Sequence, residues 1–298
     1  MDIPAPPGGE ARVRARLEDA VAERVSSARE AHWIVEHADG DARRSRALAD
    51  RRAAGEPLQY VLGRWPFRSL DLAVDGRVLI PRPETEQVVE VALAELGGLV
   101  ATADGGPDRP RSEPGPVCLD LGTGSGAIAL SLAVEGGALA AGLRVWATDT
   151  SVDALTVAAG NLDALGRRDP LAADRVRMSQ GHWFDALPPE VAGTVDLLVS
   201  NPPYVAEADF PHLDPTVRQW EPRGALVAAD SGGVGGMADI EAVIAGAPHW
   251  LRPTGVLVVE IDPAQADASL DATRRAGFGR SRTECDLAGR VRMVVARR

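Results

Sequence analysis

Apolar positions along the chain move from helical spacing to strict alternation and then to short blocks, and each change predicts a different element. Near the N-terminus Val13, Leu17, Val21 and Val25 recur at helical spacing, which puts them on one face of a helix. Further helical stretches cover residues 31–37 and 42–54, parted by the turn dipeptide Asp39-Gly40 and closed by Gly55-Glu56-Pro57. These helices are too small for an independent core of any size, so they are expected to pack on another part of the chain or to serve as a recognition lobe. Between residues 67 and 80 apolar and polar positions alternate around Asp75-Gly76, which predicts a β-hairpin hinging two lobes.

A helix follows at residues 84–96. Residues 101–116 are polar and rich in Pro and Gly, and read as a flexible surface loop. Beyond them the blocks VCLDL, RVWATD, RVRMSQ, VDLLVSN and GVLVVEI alternate with helical patterns at 126–135, 151–165, 237–250 and 263–276. That order predicts an α/β fold, a mostly parallel sheet covered by helices on both faces. The last two stretches, 280–286 and 291–297, are joined by Ala288-Gly289 and are expected to form an antiparallel edge.

Composition narrows the function classes. Across 298 residues, 43 acidic against 32 basic side chains give a net charge of −11, which disfavours general binding of nucleic acid. Every basic residue is Arg, a sign of genomic composition bias rather than of function. Apolar runs stay well short of the about 18 residues that a membrane helix needs. The first residues also lack the layout of a secretory signal, so a soluble cytoplasmic protein without a membrane partner is expected. Cys118 and Cys285 stand far apart, outside disulfide or zinc-ligand patterns, and are expected to be two buried thiols. The histidines are scattered and no nucleophilic serine spacing occurs, so neither metal nor hydrolase chemistry is indicated.

The strongest chemical signal is Asp120-Leu121-Gly122-Thr123-Gly124-Ser125-Gly126-Ala127, at the end of an apolar strand and directly before a helix. Glycines there allow a tight turn and close approach of a ligand, and the helix start offers N–H donors, so a nucleotide-type cofactor is implied. The second strand ends at Asp149, placed to accept hydrogen bonds from both hydroxyls of a ribose. A later strand ends in Asn201-Pro202-Pro203-Tyr204, where the prolines fix a rigid turn at the carboxyl edge of the sheet. The Asn201 carbonyl and a neighbouring backbone carbonyl can accept the two N–H bonds of a planar –NH2 group, while the Tyr204 ring packs on its flat face.

In this order, DLGTGSGAIALSLA, VWATDTSVDAL and VDLLVSNPPYV resemble S-adenosylmethionine-dependent methyltransferases that act on exocyclic or amide nitrogen. GEPLQYVLG at 55–63, VLIPRPETE at 78–86 and EPRGALVAADSGG at 221–233 further resemble the family that methylates the glutamine of bacterial peptide chain release factors. The resemblance implies a helical N-terminal domain (1–63) that helps recognise the release factor, a β-hairpin linker (64–82), and a catalytic domain (83–298). The catalytic domain would have the class I methyltransferase fold, a Rossmann-like sheet. By the same resemblance, Gly122, Thr123, Gly124, Ser125, Gly126 and Asp149 bind S-adenosyl-L-methionine, with Trp183 beside the adenine. Arg82, Glu84 and Thr85 belong to a segment expected to close over the cofactor; Asn201 is the pivot between cofactor and substrate, and Pro202, Pro203 and Tyr204 complete the substrate grip. S-adenosyl-L-homocysteine would be the product, and the enzyme is expected to act as a monomer without direct contact to nucleic acid. His182 departs from the family, which usually has an acid before the tryptophan. Residues 232–236 and 101–116 read as extra surface segments away from the core motifs.

The catalytic problem such a site faces is the poor nucleophilicity of an amide nitrogen, whose lone pair is delocalised into the carbonyl. Acceptors on both N–H bonds would orient the nitrogen and raise its electron density as positive charge develops. The expected reaction is methylation of N5 of the glutamine in the Gly-Gly-Gln loop of release factors. Three alternatives stay open: glutamine methylation of a ribosomal protein, N6-adenine methylation of DNA with a flipped base, and a non-catalytic binding module on the same fold.

Overall fold

The computed structural model describes residues 9–103, 115–231 and 233–298. The chain opens with α1 (Gly9–Val25), α2 (Ala28–His37), α3 (Ala42–Ala53) and the short α4 (Leu58–Leu62). Ser27 and Asp41 cap α2 and α3 by accepting the backbone N–H bonds of Glu30 and Arg44. Leu17, Val21, Ile34, Val35 and Leu48 join Leu58 and Val61 of α4 in a small core separate from that of the sheet. The sequence reading allowed these helices no core of their own; α4 supplies the closing side that three helices lack. Val13, expected on the apolar face, is 69% exposed, because α1 at 17 residues outruns the 10-residue α2.

The hairpin consists of β1 (Arg64–Phe67) and β2 (Leu70–Ala73), with Phe67 opposite Leu70. Its turn is therefore Arg68-Ser69 and not Asp75-Gly76. Arg68 adopts φ +50°, a left-handed conformation that its partners hold in place. Its N–H donates to the Glu86 carboxylate at 2.9 Å, and its guanidinium donates to both oxygens of Glu135 at 2.7 and 2.6 Å. Asp75 makes a separate turn by accepting the Arg77 N–H at 3.0 Å. Alternation runs on through both turns, so periodicity alone could not choose between them. Beyond it Val74, Val78 and Ile80 are buried in the larger core, which lays this segment across the sheet domain.

Helix α5 (Pro83–Ala103) leads, beyond the described residues, to β3 (Val117–Leu121). Of the loop expected at 101–116, residues 101–103 belong to α5 and 104–114 lie outside the described residues. After β3 come α6 (Ala127–Ser131), a π-turn at Leu132–Gly136, α7 (Gly137–Leu139), β4 (Arg144–Asp149), α8 (Val152–Arg168), α9 (Pro170–Ala173) and β5 (Val176–Gln180). They are followed by β6 (Val195–Ser200), β7 (Val205–Ala206), α10 (Pro215–Trp220), β8 (Val227–Ala228), α11 (Ala238–Trp250), β9 (Leu251–Glu260), α12 (Ala266–Arg275), β10 (Arg280–Cys285) and β11 (Val291–Arg297).

Seven strands form one sheet in the order β10-β11-β9-β6-β3-β4-β5. Strands β3, β4, β5, β6 and β9 run parallel, and β11 and β10 close the edge antiparallel, as expected. Alternate strand residues feed two cores. Cys118, Leu197, Val199 and Val258 pack with Val88, Leu96 and Leu130 on the α5/α6 face. Leu119, Leu121, Leu198 and Val259 pack with Ile240, Val243 and Ile244 on the α11 face. Burial on both faces is why these strands read as unbroken apolar blocks.

Cys118 is buried but Cys285 is exposed, contrary to the expectation of two buried thiols. The reason is position: Cys285 ends the edge strand β10, beside an irregularity in its pairing with β11. The segment expected to stand apart from the core motifs also differs, since Gly236 packs directly behind Tyr204 and Gly235 against Ala206. A Cβ on Gly236 would come within 2.0 Å of the Tyr204 carbonyl oxygen, and its φ of +68° also favours glycine. The Gln265 amide donates to the carbonyls of both Tyr204 and Gly235 at 2.9 Å.

Candidate active site

A cavity of 390 Å³ opens at the carboxyl ends of β3, β4 and β6, where the strand order reverses direction from β3. This is the place at which open α/β sheets bind ligands. The turn after β3 enters it with φ +74° at Gly122, whose N–H donates to the Thr148 carbonyl at 2.9 Å. A Cβ there would touch the Trp183 ring at 3.4 Å, so the turn and the indole lie against each other at this end of the cavity. The turn's own carboxylate is Asp120, fully buried in β3, which accepts from the Thr123 hydroxyl at 2.6 Å and the Ala129 N–H at 3.0 Å. Burial pushes its carboxyl up to about 7, and the nearby Asp149 charge adds to that shift against those two hydrogen bonds.

Asp149 ends β4 with one oxygen accepting the Gly124 N–H and the other the Ser151 N–H, both at 2.9 Å. Each oxygen keeps a lone pair for a hydroxyl. Trp183 follows β5 and adopts φ +45°, a conformation rare for a large side chain, with its carbonyl accepting the Thr148 hydroxyl at 3.1 Å. Its ring meets His182 edge to face at 5.7 Å. Asp239 at the start of α11 also lines the cavity. Burial raises its carboxyl, opposed by His182 and the Trp183 indole, so an acid from a different helix stands beside the histidine.

Two further carboxylates fix the side made by the linker. Glu221 is buried, accepts the Ile80 N–H at 3.2 Å and pairs with Arg82. The Tyr60 hydroxyl donates to the Val78 carbonyl at 2.6 Å, so the three short segments around Tyr60, Val78 and Glu221 meet at one place. Glu260, 1% exposed at the end of β9, accepts the Thr85 hydroxyl at 2.7 Å, and the Asn201 amide Nδ2–H donates to that same hydroxyl oxygen at 3.2 Å. Burial pushes the Glu260 carboxyl up to about 7.

Of the residues singled out from sequence, Arg82, Thr85, Gly122, Thr123, Gly124, Ser125, Asp149, Trp183, Asn201 and Pro203 line this one cavity. Gly126 caps α6 behind the turn, and Pro202 is buried. Tyr204 packs into the core on the α11 face, where burial raises its hydroxyl pKa. Glu84 points elsewhere and pairs with Arg290 at 3.2 Å. Sequence reasoning placed Asp120 in the glycine motif without giving it a role, and gave none to Glu221, Glu260 or Asp239. The first and third carried a signal, an acid inside or ending an apolar strand block, which a folded chain keeps only with partners.

The family described as Methyltransferase small domain matches residues 111–213, which include β3 to β6 and the Asn201 turn. The Release factor glutamine methyltransferase of Bordetella pertussis is 41% identical over 244 residues, covering 82% of this chain and 78% of that protein. The enzyme of the same name from Burkholderia pseudomallei is 38% identical over 295 residues, covering 96% and 94%. The chain belongs to the release factor glutamine methyltransferase family. As a member it is a methyltransferase, and its sheet is that of the class I fold. The catalytic domain of human METTL16 has the same fold, with a TM-score of 0.53 at 16% identity over 83% of this chain and 81% of that one. Among the described residues no group of His, Cys, Asp and Glu could hold a metal ion, and no helix is long and apolar enough to cross a membrane.

Proposed function

We propose that the chain transfers a methyl group from S-adenosyl-L-methionine to N5 of the glutamine in the Gly-Gly-Gln loop of peptide chain release factors, in the cytoplasm. The cavity's lining fits that cofactor: the Trp183 indole lies beside the glycine turn at the cavity, and Asp149 retains acceptors for ribose hydroxyls. When bound, S-adenosyl-L-methionine supplies an electrophilic methyl group. Gly122, Thr123, Gly124, Ser125 and Asp149 would hold it, Trp183 would stack beside its base, and Arg82 and Thr85 would cover it from the linker side. S-adenosyl-L-homocysteine would leave as product.

The observation that carries the reading is Asn201, a residue of the cavity wall whose Nδ2 is engaged by Thr85 while its Oδ1 has no partner among the described residues. An oxygen so placed accepts a hydrogen bond from a substrate –NH2, orienting the amide nitrogen and increasing its electron density as positive charge grows. Pro202 and Pro203 keep the turn rigid, and residues 1–63 would contact the release factor. The nitrogen loses one N–H proton to solvent after transfer and keeps the other.

The experiment is transfer of labelled methyl to a purified release factor, beside a version whose Gly-Gly-Gln glutamine is alanine. Label on the first alone supports the reading. Label on neither, with cofactor bound, overturns it and turns the search to ribosomal-protein or nucleic-acid substrates.

A further inference from the structure

Glu260, Thr85 and Asn201 form a chain of hydrogen bonds that starts deep in the protein and ends at the cavity. An ionised carboxylate only accepts, so the Thr85 hydroxyl must spend its single proton on Glu260. The Thr85 oxygen is then left as an acceptor, which selects the N–H2 end of the Asn201 amide and turns Oδ1 to the cavity. If Glu260 is neutral, its O–H can donate to Thr85, the Thr85 proton can turn to Asn201, and the amide can flip to present N–H2 instead. That polarity is wrong for a substrate –NH2, since two donors would then face each other.

We propose that Glu260 is a positioning residue which, through the Thr85 hydroxyl, holds the Asn201 amide with its oxygen toward the substrate nitrogen. The proposal rests on the methyltransferase reading above and adds what sets the polarity of its central residue. Glu260 lies at the end of β9, opposite Met293 of β11. The charged groups facing it are Arg292 of β11 and Arg82 of the linker, which favour its ionised form, and Glu84 of α5, which opposes it. Tyr204 also feels its charge. Burial outweighs the two arginines, so the carboxyl titrates near neutral pH, within the range where the enzyme would be assayed.

The test compares wild type with Glu260→Gln from pH 5.5 to 8.5, a range of about three units centred near the raised carboxyl, using a release factor as methyl acceptor. In wild type, kcat falls toward acid with a midpoint of about 7. In E260Q, whose amide can meet Thr85 by either end, the plateau drops a few-fold and the acid limb disappears or shrinks. Thr85→Val lowers kcat by about tenfold or more at every pH, and Thr85→Ser restores it. A second readout needs no turnover: the Asn201 side-chain amide signals in a ¹⁵N–¹H spectrum of the full chain should titrate with the Glu260 carboxyl and stay fixed in E260Q. The folded state of each variant is checked by its melting curve.

An acid limb of unchanged midpoint and depth in E260Q, or Asn201 signals that ignore the Glu260 titration, would overturn the relay while leaving methyl transfer standing. Asp120 titrates in the same range, and such a limb would then belong to it. No transfer by wild type at any pH would overturn the methyltransferase reading and the relay together.

Discussion

The N-terminal lobe and the cavity end of the sheet both set arginines or hydroxyls against carboxylates, but at opposite depths. In the lobe Arg24 meets Asp50 at 2.8 Å with both side chains about 60% exposed, and Arg14 meets Glu18 one helical turn away. At the cavity Glu221, Glu260 and Asp120 are almost without exposure, and each is held by donors from segments distant in sequence or by a backbone N–H. Exposed charges gain little from pairing because water and salt already screen them. A buried carboxylate is destabilising unless its acceptors are filled, so its neighbours are fixed in kind and direction. Exposed pairs such as Arg24–Asp50 can vary with little consequence, unlike the half-buried Arg52–Glu30 pair of the same lobe; the carboxylates at the cavity define which way its hydrogen bonds point.

The sharpest way to break this contrast is Asn201→Ala. It should lower kcat by about 10²–10³-fold, as removal of a preorganised transition-state group does, while the melting curve stays close to wild type. Turnover near the wild-type rate would remove the amide clamp. Asp149→Ala should weaken cofactor binding by about 2–4 kcal/mol through loss of charge-assisted bonds, read by calorimetry. An unchanged affinity would contradict its assignment to the ribose.

Glu221→Ala should cost about 2–3 kcal/mol in urea unfolding, because the Ile80 N–H and Arg82 lose their partner together. A cost no larger than that of a lobe pair would show that depth does not separate the two regions. Arg24→Ala is the smallest, within about 0.5 kcal/mol of wild type.

Much of this was legible because local rules and global fold agree along the βα repeats. The strand, glycine turn, helix and Asp149 are neighbours in sequence, and their spacing already describes one end of the cavity. Asn201 and Pro203 were legible for the same reason, whereas Tyr204, expected to grip the substrate, packs into the core on the α11 face because burial of its ring there outweighs exposure at the turn. Depth was not legible. Nothing around Glu221 shows that its carboxylate ends beneath Ile80, and the glycines at 235 and 236 look like spare loop until Ala206 and Tyr204 are seen to lean on them. The hairpin turn escaped because Arg68-Ser69 lacks the glycine or asparagine that marks a two-residue hairpin turn and is held by Glu86 and Glu135 from elsewhere. Val13 and Cys285 erred in the opposite direction, since pattern and residue type give a preference for burial but not the neighbour that provides it.

The bonds that close the linker side of the cavity join residues 141 positions apart, Ile80 to Glu221, and 175 apart, Thr85 to Glu260. Contacts of such separation bear the largest loop-closure entropy and form after local ones. During synthesis the glycine turn and Asp149 leave the ribosome before β9 does, and until then Thr85 has no Glu260 to meet. A nascent or truncated chain that stops before Glu260 therefore lacks the carboxylate that holds Thr85 at the cavity, and its pocket stays incomplete on that side.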